Sequence, residues 1–324
     1  METIDTKKIS ELVKSEKFYD YDLKDEMFKK YSIINDRSQL RSKKTDTEKN
    51  EWYETKLFNR YVKNVNYANK TICKLDKKNK NTDYEYLKKY LLFRYQASKN
   101  NKHFDCDVSY PVYLFYKDYI EILQRNYPEF NYKLSIENKY YVPQYFDTYF
   151  SMQSIWGPLI ENLYNNGDLG KKVNKKNFYV RNDFAWQIDN FDKIVNHSEL
   201  KELLKALNEF ALYYHTIGNI APCAPRINSP KGFAKGCYDR LDLFLEKELD
   251  DSWLGWYYSN ITISTKTISK YTKLLHLEKF LNPGLGKVII PKSINDKDAI
   301  EELTKYVNAM IKIIKDRITE LKKI

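Results

Sequence analysis

A mainly α, multi-helix globular protein with a few short strands and one long structured loop is the fold class that the sequence predicts, on three observations. The first proline is Pro111 and the first glycine Gly157, so the opening 110 residues lack both of the strongest chain breakers. Apolar residues recur at helical spacing in Leu200, Leu203, Leu204, Leu207, Phe210 and Tyr214, and again in Ile300, Leu303, Val307, Met310, Ile314, Ile318 and Leu321. Between these ladders, residues 214–246 gather three prolines and three glycines, a composition that forbids regular helix and shapes a loop.

In the N-terminal region the pattern predicts helices over Thr6 to Val13, Leu23 to Tyr31, Lys49 to Lys63 and Tyr84 to Ser98. Thr82 or Asp83 is placed to cap the last of these, and Glu85 stands four residues before Lys89 as an ion pair. From Phe104 to Phe150 aromatic and β-branched residues with scattered prolines, such as Val108 to Tyr116 and Tyr140 to Phe146, predict short strands or extended aromatic packing. Asn165 to Gly170 followed by four lysines within 171–176 reads as a loop. Ser198 is the expected N-cap of the helix running to Tyr214, which stops at Gly218, and a final helix is expected from Lys297 to Lys322. Residues 1–103 thus read as a helical, basic N-terminal region and 104–324 as a mainly helical C-terminal domain carrying the 214–246 loop, or the two form one continuous domain.

Composition narrows the function classes. A 42% hydrophobic share in 324 residues excludes wholesale disorder, and no run approaches 18 apolar residues, so no membrane partner is expected. The N-terminus lacks the basic-then-apolar order of a secretory signal. Four cysteines make no disulfide framework, and the expectation is a cytoplasmic protein with reduced thiols. Formal charge is +11, carried by 46 Lys and only 9 Arg. Residues 51–110 hold 13 basic and 7 acidic side chains, whereas 111–170 hold 4 and 7, so the sign reverses between neighbouring segments. Lys56, Arg60, Lys63, Lys70, Lys74, Lys77 and Lys78 are therefore candidate nucleic-acid contacts on a surface facing away from the acidic segment, and DNA or RNA a candidate partner. A lysine-rich solvated helix face is the plain alternative.

The segment 214–246 concentrates the candidate chemistry. His215, Asn228 and Asp242 are the candidate catalytic groups, an imidazole, an amide and a carboxylate brought together if the loop folds over the helix that follows it. Gly218, Asn219, Gly232, Asp239 and Arg240 are expected to shape the loop. In the alternative, scaffold reading, Asn219 and Asn228 satisfy loop backbone, His215 caps the preceding helix and Asp239 the next. No cofactor is assigned. Cys223 and Cys237 are 14 residues apart without a CxxC, and Gly284-Leu-Gly286 lacks the rest of a phosphate loop.

His215-Thr-Ile-Gly-Asn219, Pro225, Asn228, Lys231-Gly232 and Asp239-Arg-Leu-Asp-Leu243 resemble the shared segment of an uncharacterised bacterial family. That likeness implies an intracellular bacterial protein and a fold rather than a reaction. More distantly, Ile217-Gly-Asn219, Asn228-Ser229 and Gly232-Phe-Ala-Lys235 are similar to the second half of the HNH-like domain of modification-dependent restriction nucleases. This second resemblance implies a divalent metal, nucleic acid as substrate, and a defence or mobile-element context. Such nucleases carry an upstream His-Ile-x-Pro strand, and Val195-Asn-His197-Ser-Glu199 stands here instead. The implied site is weak or degenerate. The alternative is a non-enzymatic, partner-binding scaffold protein in which the 214–246 loop is structural.

Overall fold

Where apolar residues return every three to four positions and breakers are absent, the chain is helical in the computed structural model. It describes residues 4–34, 45–73, 83–99, 104–128, 146–170, 178–222, 240, 242–243 and 273–323. In order, these form α1 (Ile4–Val13), 3-10 turns at Glu16–Asp20 and Leu23–Phe28, α2 (Asp46–Ile72), α3 (Glu85–Lys99) and α4 (Tyr110–Asn126). Then come β1 (Phe146–Thr148), α5 (Gln153–Asn166), α6 (Phe184–Asp189), α7 (Phe191–Val195), α8 (Lys201–Tyr214), β2 (Ile220–Pro222), α9 (Glu278–Leu281) and α10 (Lys297–Leu321). The protein is mainly α. β1 and β2 pair antiparallel, with Asp147 opposite Ala221.

Several elements depart from the sequence pattern. Val108 to Tyr116, expected as short strand or extended aromatic packing, lies mostly in α4: Pro111 fits the first turn, where its missing N–H costs nothing, and Val112, Tyr116, Tyr119, Ile120 and Leu123 bury a helical face. α2 continues nine residues beyond Lys63 and starts at a capping box, Thr45 accepting from the Glu48 N–H while the Glu48 carboxylate accepts from the Thr45 N–H. Leu23 to Tyr31 is not an α-helix. It forms a 3-10 turn to Phe28 and then runs extended, because its backbone groups are taken by α2. Ser198 does not cap α8: a 3-10 turn spans Ser198–Leu200, and the Ser198 hydroxyl donates to Glu199.

The extended stretch 28–34 lies along α2 as a strap. Asn66 accepts the Tyr31 N–H at 3.1 Å and donates to the Tyr31 carbonyl at 2.9 Å, Asn59 does the same for Ile34 at 2.9 and 3.1 Å, and Asn69 donates to the Phe28 carbonyl at 2.8 Å. The spacing fits. Three residues of extended chain advance about 9 Å, near the roughly 10.5 Å of seven helical residues between Asn59 and Asn66. Below the strap, the buried Glu26 carboxylate accepts from the hydroxyls of Tyr21, Tyr31 and, from α2, Tyr61, and from the Lys29 ammonium. A buried carboxylate would be costly alone, and four donors offset its desolvation.

α10 and α3 both pack on α8, and the apolar stripe of α10 is interrupted by one cation. Arg317, buried among Ile313, Ile314 and Ile318, donates from Nη1 to the carbonyls of Ile217 (2.9 Å), Gly218 (3.0 Å) and Ile220 (2.8 Å). Its Nε reaches the Leu275 carbonyl at 3.0 Å and its Nη2 the Tyr116 hydroxyl at 2.9 Å. One side chain thus joins α10, α4, the turn after α8 and the segment before α9. Gly218 makes that closeness possible. Its φ is not positive; instead, a Cβ there would overlap Ile318 and stand 2.9 Å from the Ile314 carbonyl.

Two outcomes follow for stability. Arg317→Ala is expected to lose about 3–5 kcal/mol in urea unfolding, because it strands buried carbonyls. Arg317→Lys restores only part, having three donors where the fork has five. Gly218→Ala is expected to cost about 1–3 kcal/mol through overlap with α10 rather than through backbone strain.

Candidate functional site

α8 ends at Tyr214, and the His215 to Asn219 turn bends the chain into β2. His215 is 2% exposed, its ring edge-on to Phe93 at 4.6 Å and tilted against Tyr214 at 4.0 Å. Nδ1 has no hydrogen-bond partner. Burial first, then the charge of Lys24, holds the imidazole well below its ordinary pKa, so it is neutral and sealed from solvent. Thr216 turns its hydroxyl back to the Tyr213 carbonyl. Asn219, fully buried, accepts the Phe150 N–H at 3.0 Å and donates to the carbonyls of Phe150 (2.9 Å) and Tyr214 (2.8 Å), tying the end of α8 to the chain leaving β1.

Asp242 is engaged elsewhere. The Arg240 guanidinium grips its carboxylate with Nε at 3.0 Å and with Nη2, and also donates to the carbonyls of Gly286 (2.7 Å) and Leu285 (3.0 Å). Tyr306 of α10 accepts from Arg240 Nη1 at 3.1 Å. This buried fork pins the extended chain around Leu285 to α10. Lys24, Asp105 and Arg94 are the charged groups felt by His215, and Asp242 is not among them. Asn228, Gly232 and Asp239, with Cys223 and Cys237, lie outside the described residues. Among the described residues no group of three or more His, Cys, Asp or Glu is arranged to hold a metal.

A second buried polar cluster underlies the turn and carries no obvious sequence signal. Lys24, completely buried, donates to Asp22 Oδ1 at 2.7 Å and to the Ala211 carbonyl in the last turn of α8 at 2.6 Å. A cation at a helix C-terminus opposes the dipole and uses an otherwise orphaned carbonyl. The Leu23 N–H donates to the His215 carbonyl at 3.1 Å, so the same 3-10 turn holds the His215 backbone. These are helix-end contacts, and they leave His215 walled by aromatic rings and a lysine rather than facing a reacting atom.

The surface of α2 is organised differently. Leu57, Phe58, Tyr61, Val62, Val65, Ala68 and Ile72 are buried. On the opposite side Lys56, Arg60, Lys63, Tyr67 and Lys70 fall within about 80° of arc, at 3.6 residues per turn. Arg60, Lys63 and Lys70 are exposed, and from Lys56 to Ile72 the helix has no acidic residue. Lys63 and Lys70 form no ion pair with a described residue. Lys56 Nζ sits 3.3 Å from the centroid of the Trp52 ring, one turn earlier. Glu54, on the far side of the helix, binds Lys117 of α4 at 2.5 Å. Lys74, Lys77 and Lys78 lie outside the described residues. The spacing of Lys56, Arg60, Lys63 and Lys70 was the available signal for a single face; Trp52 and Tyr67 were missed because tyrosine and tryptophan are spread through the whole chain.

The structure defines the class of protein as mainly α, and none of its described helices is long and apolar enough to cross a membrane. Compared with known proteins, the chain matches no family model, no curated protein and no solved structure.

The environment of His215 sets a pH dependence. In the unfolded chain the imidazole takes up a proton below about pH 6.5, whereas the folded state resists it. Stability is therefore complete above that value and falls as pH drops below it, by at most about 1.4 kcal/mol per pH unit for one proton. His276, also held below its ordinary value by burial and Arg317, adds the same sign. His215→Phe is expected to stay folded and to show a shallower loss of melting temperature between pH 6.5 and 5; an unchanged slope would assign the loss to other groups.

Proposed function

We propose that this chain is a nucleic-acid-binding protein without a catalytic centre at the 214–222 turn, and that its contact surface is the basic face of α2. The single observation that carries this is the row Lys56, Arg60, Lys63 and Lys70 on one face, with Lys63 and Lys70 exposed and unmatched by any described carboxylate. Each such lysine laid on a phosphate releases condensed counterions, so affinity rises with the number of contacts and falls with salt. Ordinary surface ion pairing would have set described carboxylates against Lys63 and Lys70, and a merely solvated lysine face, the plain alternative, would bind nucleic acid without the steep salt dependence.

The same reading removes the need for an HNH-like reaction at His215. A metal-dependent nuclease requires an imidazole that reaches a metal or an attacking water, and here the ring is sealed by Phe93 and Tyr214 while Asn219, Gly218 and Thr216 serve the backbone. Arg240 and Asp242 satisfy one another.

Fluorescence anisotropy with labelled nucleic acid over a salt series tests the proposal. The wild-type chain is expected to bind with an affinity that falls by about tenfold or more between 50 and 200 mM salt. Arg60→Gln/Lys63→Gln/Lys70→Gln is expected to weaken binding by a similar factor while shifting stability by less than about 0.5 kcal/mol per site, since all three are exposed. Equal binding by the triple variant would defeat the assignment of the surface.

A further inference from the structure

We propose that the nucleic acid held by α2 is single-stranded, with phosphates on Arg60, Lys63, Lys70 and Lys30 and bases stacked on Phe28 and Tyr67; this rests on the reading of α2 as a nucleic-acid surface. The strap is what distinguishes the strands. It runs beside the basic face, fixed at Asn59, Asn66 and Asn69. A bare helix about 10–12 Å across just enters a major groove about 12 Å wide. With the strap bound along one flank, α2 presents a broader profile than a bare helix. What it offers is a platform.

The platform carries what an unpaired strand needs. Five large apolar side chains are noticeably exposed among the described residues, and two of them, Phe28 at 37% and Ile33 at 48%, belong to the strap. The Phe28 carbonyl is held by Asn69, which places the Phe28 backbone against the helical turn that carries Lys70, at the C-terminal end of the basic row. Lys30, two residues on, is exposed and forms no ion pair with a described residue. Half-buried Tyr67 stands in the row between Lys63 and Lys70. An exposed ring, Phe28, and a half-buried one, Tyr67, among cations suit bases whose faces are open, whereas a duplex keeps those faces stacked inside. From Lys56 to Lys70 the row spans about 21 Å, enough for roughly four nucleotides. One arginine among four cations favours point contacts with phosphate over base-edge recognition, so little sequence preference is expected.

The test compares a labelled oligothymidylate of about twelve nucleotides with a duplex of equal length, on the full chain, within the 4–16 nucleotide range of such sites. The single strand is expected to bind about tenfold tighter or more. Phe28→Ala and Phe28→Leu should each weaken it about fivefold or more and leave duplex binding unchanged, while Phe28→Trp retains it. Phe28→Leu keeps apolar volume without a π face, so its loss, at unchanged melting temperature, isolates stacking. Duplex binding as tight as single-strand binding, or indifference to both Phe28→Ala and Phe28→Leu with a strong effect of Lys63→Glu/Lys70→Glu, overturns the single-strand assignment and leaves the nucleic-acid surface standing. If Lys63→Glu/Lys70→Glu changes nothing, or polyglutamate competes as well as oligothymidylate, the surface itself falls.

Discussion

The Arg317 guanidinium, buried in an otherwise aliphatic helix face, is the contact on which the C-terminal half of the structure depends. A tight turn out of a helix leaves carbonyls pointing inward, and the turn after α8 leaves three, from Ile217, Gly218 and Ile220. Water cannot reach them. A side chain with several donors in a rigid fork satisfies all three at once while its charge is shared with Tyr116 and Leu275. Because those partners come from α4, from the turn and from the chain before α9, removing the fork would loosen every element it joins. Gly218 is the complementary requirement, since only a residue without a Cβ lets the turn approach α10 closely enough for the fork to reach.

The N-terminal third answers the same problem with other chemistry. There the orphaned groups belong to an extended strap, and the amides of Asn59, Asn66 and Asn69 replace the β-ladder that the strap lacks. Glu26 gathers three tyrosine hydroxyls and a lysine below it. These fully satisfied networks rigidify α2 from beneath and from one flank. A rigid support matters for the surface above it, because lysines on a fixed helix meet phosphates without the ordering cost that a mobile tail would incur. Architecture and proposed binding are therefore linked through the asparagines, which serve the strap and set the edge of the basic face.

Lys24 shows how the two halves meet. Its ammonium ends α8, its backbone neighbour Leu23 holds the His215 carbonyl, and its charge helps to keep the His215 ring neutral. An imidazole in the most conspicuous loop of the sequence is buried between aromatic rings, and its titration opposes folding. The residues around it explain this: Phe93 and Tyr214 wall the ring, and burial and the Lys24 charge outweigh the opposing pull of Asp105.

The sequence by itself determined the helical class, the position of α10 and the core stripes of α8 and α10, because an amphipathic helix writes its buried face into its own spacing. It also marked the cations of α2, whose separations of four, three and seven residues place them on one face. It misread Val108 to Tyr116, since aromatic and β-branched residues serve a buried helix as well as a strand and only the neighbours of α4 decide between them. The chemistry of the 215–219 turn was not legible either. Whether an imidazole faces solvent depends on partners far away in the chain, as does the Arg240 fork that claims its near neighbour Asp242 and is itself held by Leu285, Gly286 and Tyr306; Arg317 lies about a hundred residues from the turn carbonyls it binds. Local sequence sets periodicity; burial and hydrogen-bond partnership are properties of contacts between distant segments, and only the tertiary structure fixes them.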